Sequence, residues 1–225
     1  MRLLPCGRDA VMVDLESLAA VHAVVADLRG ALGTGALPAV VEIVPGARTV
    51  LVVAEPGRGA ALAAVARRVG ALDLEGLTDT DGAEAGAEAG ERPTVELAVH
   101  YDGEDLDLVA RDAGVDPAAV IALHTGARFT VAFGGFAPGF AYLAGLPEPL
   151  RQARLDRPRE RIPAGAVGVA GEFGGVYPRA SPGGWRLIGR LTADAPALFD
   201  PAREEPALLT PGVRVRFRDA AGDPS

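Results

Sequence analysis

The chain has 225 residues, of which 49% are hydrophobic and 23% charged, an ordinary composition for a globular protein with one large or two small domains. Its net charge is −8 and no basic stretch dominates, so nucleic acid is not an expected partner. No segment is apolar enough to cross a membrane, and the N-terminus lacks the apolar run of a signal peptide. The single cysteine, Cys6, excludes an intramolecular disulfide and fits a cytoplasmic location.

Arginine supplies every basic residue other than histidine, because the sequence contains no lysine. This excludes a Walker A loop, a Schiff-base lysine and a lysine that carries biotin or lipoate. The three histidines, His22, His100 and His124, lack the spacing of metal ligands, so we predict no metal site. We expect His22 at the surface and His124 at a helix end, where a cation suits the helix dipole. The chain alone is predicted to bind no cofactor.

The N-terminal third predicts the element order β-α-β-β-α. A strand is expected in AVMVD (10–14), and Ser17 can cap the helix that follows. Pro45-Gly46 separates two β-branched runs, 39–44 and 49–53, which is typical of a hairpin; a second helix is expected over 59–69. We therefore expect a small N-terminal α/β domain, ferredoxin-like, over residues 1–77.

Residues 78–92, TDTDGAEAGAEAGER, are small and acidic. From Asp73 to Glu91 there are seven acids and no base. Such a segment cannot bury enough apolar surface to order itself, so it is interpreted as a flexible linker. A short helix over EAGAEAG is the alternative, given its alanine content.

Residues 93–225 predict a second domain with many short strands. Two helices are expected, over 105–113 and 116–124, with Asp116 as the cap of the second. The strands are predicted in VELAVHYD after Pro93, and over 129–133, 167–170, 185–188 and 208–218. In the last of these, Val213, Val215 and Phe217 alternate with arginines. Short strands with dense turns favour a β-barrel or a sandwich.

The stretch 129–191 concentrates glycine, proline and aromatic residues, a composition typical of shaped loops between short strands. In GFAPGFAYL, Phe136, Phe140 and Tyr142 are candidates for a pocket lining or an interface, with barrel core as the alternative. In ASPGGW, the N–H groups of Gly183 and Gly184 could bind an anion. A tight turn that carries a tryptophan into the core explains the same sequence equally well.

Five arginines lie between Arg151 and Arg161, against two acids. Arg159 and Arg161 precede the Ile-Pro-Ala-Gly turn and are the best candidates to grip a carboxylate or phosphate, or to dock an acidic partner. A solvated loop is the alternative. Ser181 is not a nucleophile elbow, because Pro182 follows it directly. No catalytic residue is identified.

Three ordered motifs, GFAPGFAYLAGLPEPL, PRERIPAGAVGVAG and GVYPRASPGGWRLIGR, resemble the family of 5-oxoprolinase B subunits, also called KipI-like or allophanate hydrolase subunit 1. The resemblance implies an α+β chain, with a cyclophilin-like β-barrel domain after the small N-terminal domain. It implies a KipA-like chain, the C subunit, as direct partner and a LamB/YcsF-like chain, the A subunit. Together such chains hydrolyse 5-oxo-L-proline to L-glutamate with ATP. Residues matched by the motifs and expected at a substrate site or interface are Phe136, Pro138, Phe140, Tyr142, Arg159, Arg161, Tyr177, Ser181, Gly183, Gly184, Trp185 and Arg190.

The family also suggests two alternatives: a KipI-like inhibitor of a sensor histidine kinase, or the small half of a biotin-dependent, urea-type carboxyltransferase. The sequence departs from the family pattern at Ala166, Phe173, Gly174 and Leu191. Polar groups are expected at several of these positions. We therefore expect the substrate, rather than the fold, to be affected.

Overall fold

The computed structural model describes residues 1–75, 77 and 94–222. The chain divides into two compact units, Met1–Glu88 and Ala89–Ser225. The linker predicted over 78–92 lies outside the described residues. Each unit is therefore considered by itself.

The described residues of the first unit form a four-stranded antiparallel sheet with two helices. The elements are β1 (Arg2–Pro5), β2 (Ala10–Asp14), α1 (Leu18–Gly33), β3 (Val40–Pro45), β4 (Thr49–Ala54) and α2 (Leu62–Gly70). The strand order is β1-β2-β4-β3. All of these elements were predicted from the sequence except β1 and a 3-10 turn at Gly59–Ala61.

The core of this unit follows from the alternation of its central strands. Val11 and Val13 of β2, with Val50 and Val52 of β4, are buried while their neighbours are partly exposed, as expected for a sheet covered on one face. The α1 helix packs on the sheet through a buried apolar stripe. Its predicted cap is confirmed, because the Ser17 hydroxyl accepts a hydrogen bond from the Ala20 N–H at 3.2 Å.

In the second unit, residues 94–222 form nine strands and two helices. Both predicted helices and the five predicted strand regions are confirmed, although the last strand is shorter than 208–218. The elements are β5 (Thr94–His100), α3 (Leu106–Ala113), α4 (Pro117–Gly126), β6 (Phe129–Gly134), β7 (Ala141–Ala144), β8 (Arg159–Ile162), β9 (Ala166–Ala170), β10 (Phe173–Val176), β11 (Ser181–Gly183), β12 (Arg186–Leu191) and β13 (Arg214–Asp219), with 3-10 turns at Glu148–Leu150 and Ala220–Gly222.

Seven of these strands close into a barrel in the order β10-β7-β6-β13-β5-β12-β9. Closure leaves no unpaired edge within the ring. The β13–β5 pair is parallel, whereas the other pairs are antiparallel. Val213, Val215 and Phe217 point into the core, as their alternation predicted. The α+β class with a β-barrel is therefore confirmed.

The interpretation of His124 as a cation at a helix end is wrong. His124 lies in the last turn of α4 but is fully buried. The centroid of its ring lies 4.5 Å from the ring centroid of Phe217 and 5.1 Å from that of Phe129. Burial lowers the pKa of His124 to about 3, so the ring is neutral at physiological pH. A protonated ring there would be desolvated among aromatic side chains, with the Tyr101 hydroxyl, 2.8 Å from Nδ1, as its hydrogen-bond partner.

The glycine- and proline-rich stretch forms more strand than the sequence predicted. Strands β7 and β10 belong to the barrel, while β8 and β11 form a separate two-stranded sheet. These strands bring together a second cluster of buried side chains. It contains Phe140, Ile162, Ala166, Ala170, Tyr177, Trp185 and Leu187.

No helix of the described residues is long and apolar enough to span a membrane. The same residues contain no group of three or more histidine, cysteine, aspartate or glutamate side chains placed to hold a metal ion.

Candidate binding pocket

Five aromatic rings surround a small pocket beside the two-stranded sheet. Phe140 makes edge-to-face contacts with Trp185, at a centroid distance of 5.4 Å, and with Tyr177, at 5.3 Å. Tyr142 lies 5.1 Å from Phe140 and 5.6 Å from Trp185. Phe136 lies at the mouth, 5.3 Å from Phe140 and 57% exposed. Edge-to-face packing fixes the ring orientations and so defines the shape of the pocket.

The pocket has a volume of about 60 Å³. A single water needs roughly 10–15 Å³ by this measure, so the space admits a small chemical group. Seven of the twelve residues matched by the motifs line it, together with one residue that was not singled out. The lining residues are Phe136, Phe140, Tyr142, Arg154, Tyr177, Gly183, Gly184 and Trp185.

Two consecutive turns hold Phe136 at the mouth. The Ala137 N–H donates to the Gly135 carbonyl at 2.7 Å, and Phe136 between them has φ 65°. This is the γ-turn with positive φ, a rare and strained form. The Phe140 N–H then donates to the Ala137 carbonyl at 2.9 Å. That second turn needs positive φ at Gly139, which has φ 81°.

Strain of this kind persists where the surrounding structure enforces it, and it is concentrated at functional sites. Phe136 is the only described residue other than glycine with positive φ. Its ring is also among the most exposed large apolar side chains of the described residues. The loop therefore holds an apolar ring outward at an energetic cost.

Tyr177 and Gly183 meet at the floor of the pocket. A Cβ atom on Gly183 would fall well inside van der Waals distance of the Tyr177 hydroxyl oxygen, so only glycine permits this approach. Burial raises the pKa of Tyr177 to about 12, although nearby Arg154 and the Trp185 backbone N–H oppose the increase. The phenol is therefore protonated at neutral pH and can donate a hydrogen bond.

Arg154 is the only charged residue among the described residues of the lining. Hydrogen bonds fix the backbone on both sides of it: the Ala153 carbonyl accepts from Arg186 Nε at 3.0 Å, and the Leu155 N–H donates to the Gly184 carbonyl at 2.8 Å. Among the described residues, the Arg154 guanidinium has no ion pair or hydrogen bond. It is therefore a positive charge on a fixed backbone with its donors available.

The structure separates the arginine pair that the sequence analysis favoured. Arg159 donates from Nη2 to Asp105 Oδ1 at 2.8 Å and from Nε to Glu104 at 3.2 Å. The hydrogen bond to Asp105 is the main reason that the pKa of Arg159 is raised. Asp105 is buried and also accepts from the Leu187 N–H at 2.7 Å. Arg161 is exposed, and neither arginine lines the pocket.

The three remaining motif residues lie outside the lining. Pro138 occupies the second position of the turn that ends at Phe140. The Ser181 hydroxyl donates to the Arg179 carbonyl at 3.2 Å, so it is committed to its own turn. Arg190 pairs with Asp102 at 2.9 Å at the surface.

The four departures from the family pattern also lie outside the pocket lining. Ala166 packs in the cluster around Tyr177, and the Phe173 ring lies 5.7 Å from that of Tyr142, behind the pocket. Gly174 lies against the Phe129 ring, and Leu191 donates its N–H to the Gly165 carbonyl. Ala166 and Phe173 therefore pack behind the pocket, whereas Gly174 and Leu191 lie against the other core cluster, which contains Phe129.

Arg154 is the residue that sequence reasoning missed. It belongs to the arginine-rich run, but no local signal distinguishes it from its neighbours. Its distinction is its position: among the five arginines of the run, it alone lines the pocket. Arg151 and Arg159 bind the Leu146 carbonyl and Asp105 instead, and only the folded chain shows which arginine lies beside the aromatic rings.

Residues 1–209 match the family model described as the carboxyltransferase domain, subdomain C and D. The chain is 39% identical over 214 residues to the 5-oxoprolinase B subunit of Escherichia coli O157:H7, covering 94% of this chain and 92% of that protein. It is 44% identical over 129 residues to the 5-oxoprolinase B subunit of Bacillus subtilis strain 168, covering 56% and 52%.

Solved structures agree with the fold. TTHA0988 matches with a TM-score of 0.73 and 34% identity, covering 96% of this chain but only 41% of the TTHA0988 chain. A conserved uncharacterized protein from Pyrococcus horikoshii, PH0987, matches with a TM-score of 0.53 and 30% identity over 97% of both chains. Urea amidolyase of Kluyveromyces lactis shares the fold at 17% identity, with a TM-score of 0.71 over 14% of its length.

The match to the family model and the near full-length similarity to the E. coli protein agree with the three motifs around the pocket. The chain therefore belongs to the carboxyltransferase-domain (subdomain C and D) family, which it shares with bacterial proteins named as B subunits of 5-oxoprolinase.

Proposed function

We propose that the chain is the B subunit of an ATP-dependent 5-oxoprolinase, which hydrolyses 5-oxo-L-proline to L-glutamate together with its A and C subunits. The observation that carries this proposal is the 39% identity to a protein of that name over nearly the whole length of both chains. The pocket supports it, because motif residues shared with the family supply seven of its eight lining residues.

The chemistry explains why further chains are needed. An amide such as this lactam resists water until its carbonyl oxygen is activated, for instance by phosphorylation. In that case ATP gives up its terminal phosphoryl group to the oxygen and leaves as ADP. Water then adds to the carbonyl carbon, and the C–N bond breaks as the nitrogen takes a proton, which leaves an acyl phosphate. A second water hydrolyses the acyl phosphate to the carboxylate and inorganic phosphate. The pocket offers hydrogen-bond donors from Arg154 and Tyr177, which suit binding and charge stabilisation.

Among the residues that the structure describes, the lining contains no serine, cysteine, histidine or carboxylate that could act as nucleophile or base. In this proposal the partner chains contribute those groups and the ATP site, and the KipA-like C subunit is the direct partner. The cytoplasmic location expected from the sequence also belongs to the proposal.

The proposal is tested by producing this chain with candidate A and C subunits and measuring 5-oxoproline-dependent release of glutamate and phosphate. Activity should require all three chains and should disappear when this one is omitted. Unchanged hydrolysis without it would overturn the proposal.

A second candidate is the small half of a carboxyltransferase, which the description of the family model favours. The same preparation distinguishes the two functions. Carboxyl transfer requires a biotinylated carrier protein, whereas lactam hydrolysis proceeds in its absence. Inhibition of a sensor histidine kinase stays a prediction from the sequence.

A further inference from the structure

The polar groups of the pocket differ from those of an ordinary hydrophobic cleft. Within the described part of the chain, the lining has one charge, the Arg154 guanidinium, and no negative charge. Tyr177 adds a phenol that stays protonated at neutral pH. A ligand that complements these groups must offer hydrogen-bond acceptors and negative charge at one end.

The fold keeps the Arg154 side chain available for such a ligand. Three acids from other parts of the fold are paired with other arginines: Asp105 and Glu104 contact Arg159, and Asp112 contacts Arg186. The backbone of Arg154 is held by the hydrogen bonds at Ala153 and Leu155. This fixed backbone confines the entropy lost on binding to the rotamers of the arginine side chain.

The volume of the pocket and the side chains of its walls limit which ligands can bind. A volume of about 60 Å³ accommodates a carboxylate and a few carbon atoms, but not a nucleotide. The buried rings of Phe140, Tyr177 and Trp185 offer apolar surface to a small carbon skeleton. A planar carboxylate matches the donor pairs of a guanidinium in a bidentate contact.

We propose that this pocket binds the carboxylate of a small amide substrate, with Arg154 as its charge partner, so that the reacting amide faces outward. The inference rests on the proposed function and extends it by assigning the two ends of 5-oxoproline. The carboxylate end is held by this chain, and the lactam end is presented to the partner chains. Arg154 is then a binding residue for the substrate.

The sole tryptophan of the chain, Trp185, lines the pocket and serves as a local reporter of binding. The experiment titrates the full chain, alone and assembled with the A and C subunits, with 5-oxo-L-proline and follows Trp185 fluorescence. In the complex, where the partner chains add other tryptophans, KM replaces fluorescence as the readout. The comparison ligand is 2-pyrrolidinone, which has the same lactam ring without the carboxylate.

We expect a saturable response to 5-oxoproline and at least tenfold weaker binding of 2-pyrrolidinone. Arg154→Gln should weaken 5-oxoproline binding by tenfold or more and raise KM while kcat changes less. Arg157→Gln is the matched control, because Arg157 is also exposed but does not line the pocket. Both variants should have the melting temperature of the wild type.

Equal affinity for the two ligands would overturn the inference, as would equal binding by the Arg154→Gln and Arg157→Gln variants. So would the absence of a saturable response in both the chain and the complex. If the complex hydrolyses 5-oxoproline and Arg154→Gln leaves KM unchanged, the proposed function stands and the inference fails. If another small carboxylate, such as L-proline, binds in an Arg154-dependent way but 5-oxoproline is neither bound nor hydrolysed, the proposed function fails and the carboxylate pocket stands.

Discussion

Two aromatic clusters in the barrel unit use similar residues for opposite purposes. In the closed cluster, Tyr101, Phe129 and Phe217 surround the neutral ring of His124 inside the barrel. The open cluster lines the pocket and leaves Phe136 at its mouth. The closed cluster excludes water on all sides, whereas the open one retains a cavity, a strained turn and an unpaired cation. The two clusters have similar compositions, so composition alone does not indicate a binding site. The cavity left on one side of the open cluster does.

Truncation of a ring should have the largest effect in the closed cluster. Phe129 is 1% exposed and contacts both His124 and Phe217, so Phe129→Ala is expected to cost about 3–5 kcal/mol of unfolding free energy. Phe136→Ala, at an exposed position, should cost less than about 1 kcal/mol. Urea unfolding of the two variants measures the contrast. Equal losses would show that the two clusters do not differ in this way.

The closed cluster should also make stability depend on pH. The unfolded chain protonates His124 near pH 6.5, whereas the folded chain keeps it neutral down to about pH 3. The contribution of His124 to the free energy of unfolding is therefore at its maximum above pH 6.5. Below that pH the free energy of unfolding falls by about 1.4 kcal/mol per pH unit, or about 3 kcal/mol by pH 4.5.

Denaturant titrations at pH 7.0 and pH 4.5 measure this slope. His124→Gln should remove this loss of about 3 kcal/mol between pH 7.0 and pH 4.5. His100→Gln, at an exposed position, serves as the control and should leave the pH dependence of stability unchanged. A wild-type slope that persists in the His124 variant would contradict the assignment.

The floor of the open cluster provides a matched pair of glycines. A Cβ on Gly183 would collide with the Tyr177 hydroxyl, whereas one on Gly184 would lie at an ordinary 3.5 Å from the Leu155 carbonyl oxygen. Gly183→Ala is expected to displace Tyr177 and cost about 1–3 kcal/mol, with loss of the Trp185 response to ligand. Gly184→Ala should retain both properties. Thermal unfolding and fluorescence titration of the two variants measure the difference. If both variants kept the stability and the Trp185 response of the wild type, Gly183 would not be required for the close contact with Tyr177.

The smallest effect concerns the strain at the mouth. Phe136→Gly and Phe136→Ala remove the same ring, but only glycine accepts φ 65° without cost. The glycine variant should therefore be more stable than the alanine variant by about 1 kcal/mol. Both should lower activity in the complex if the ring contacts substrate or partner. An alanine variant as stable as the glycine variant would show that the turn relaxes freely.

Much of the fold was predictable because its signals are local. The caps at Ser17 and Asp116 and the alternation around Val215 lie within a few residues of what they determine. Two of the strands that were not predicted lack such signals. All four residues of β1 are exposed, and β10 (Phe173–Val176) has two buried glycines, so neither shows an alternating pattern.

The sequence predicted which aromatic residues line the candidate site, but not which arginine does. The motifs brought together the rings that line the pocket, because aromatic residues in a glycine- and proline-rich stretch mark a shaped surface. The choice among arginines depended on partners far away in sequence: Asp105 lies 54 residues from Arg159. The burial of His124 depended in the same way on Phe217, which comes from the last strand.

The parallel pairing of β13 with β5 has a consequence for how the protein is made. The last strand of the barrel lies between the first strand, β5, and β6, so the ring cannot close until residues 214–219 have been synthesised. Until that moment β5 and β6 expose edges that could pair with other chains. The four-stranded sheet of the first unit needs nothing beyond residue 54 to complete its pairing. On the ribosome, the two halves of this chain are therefore expected to mature at different times, with the barrel last.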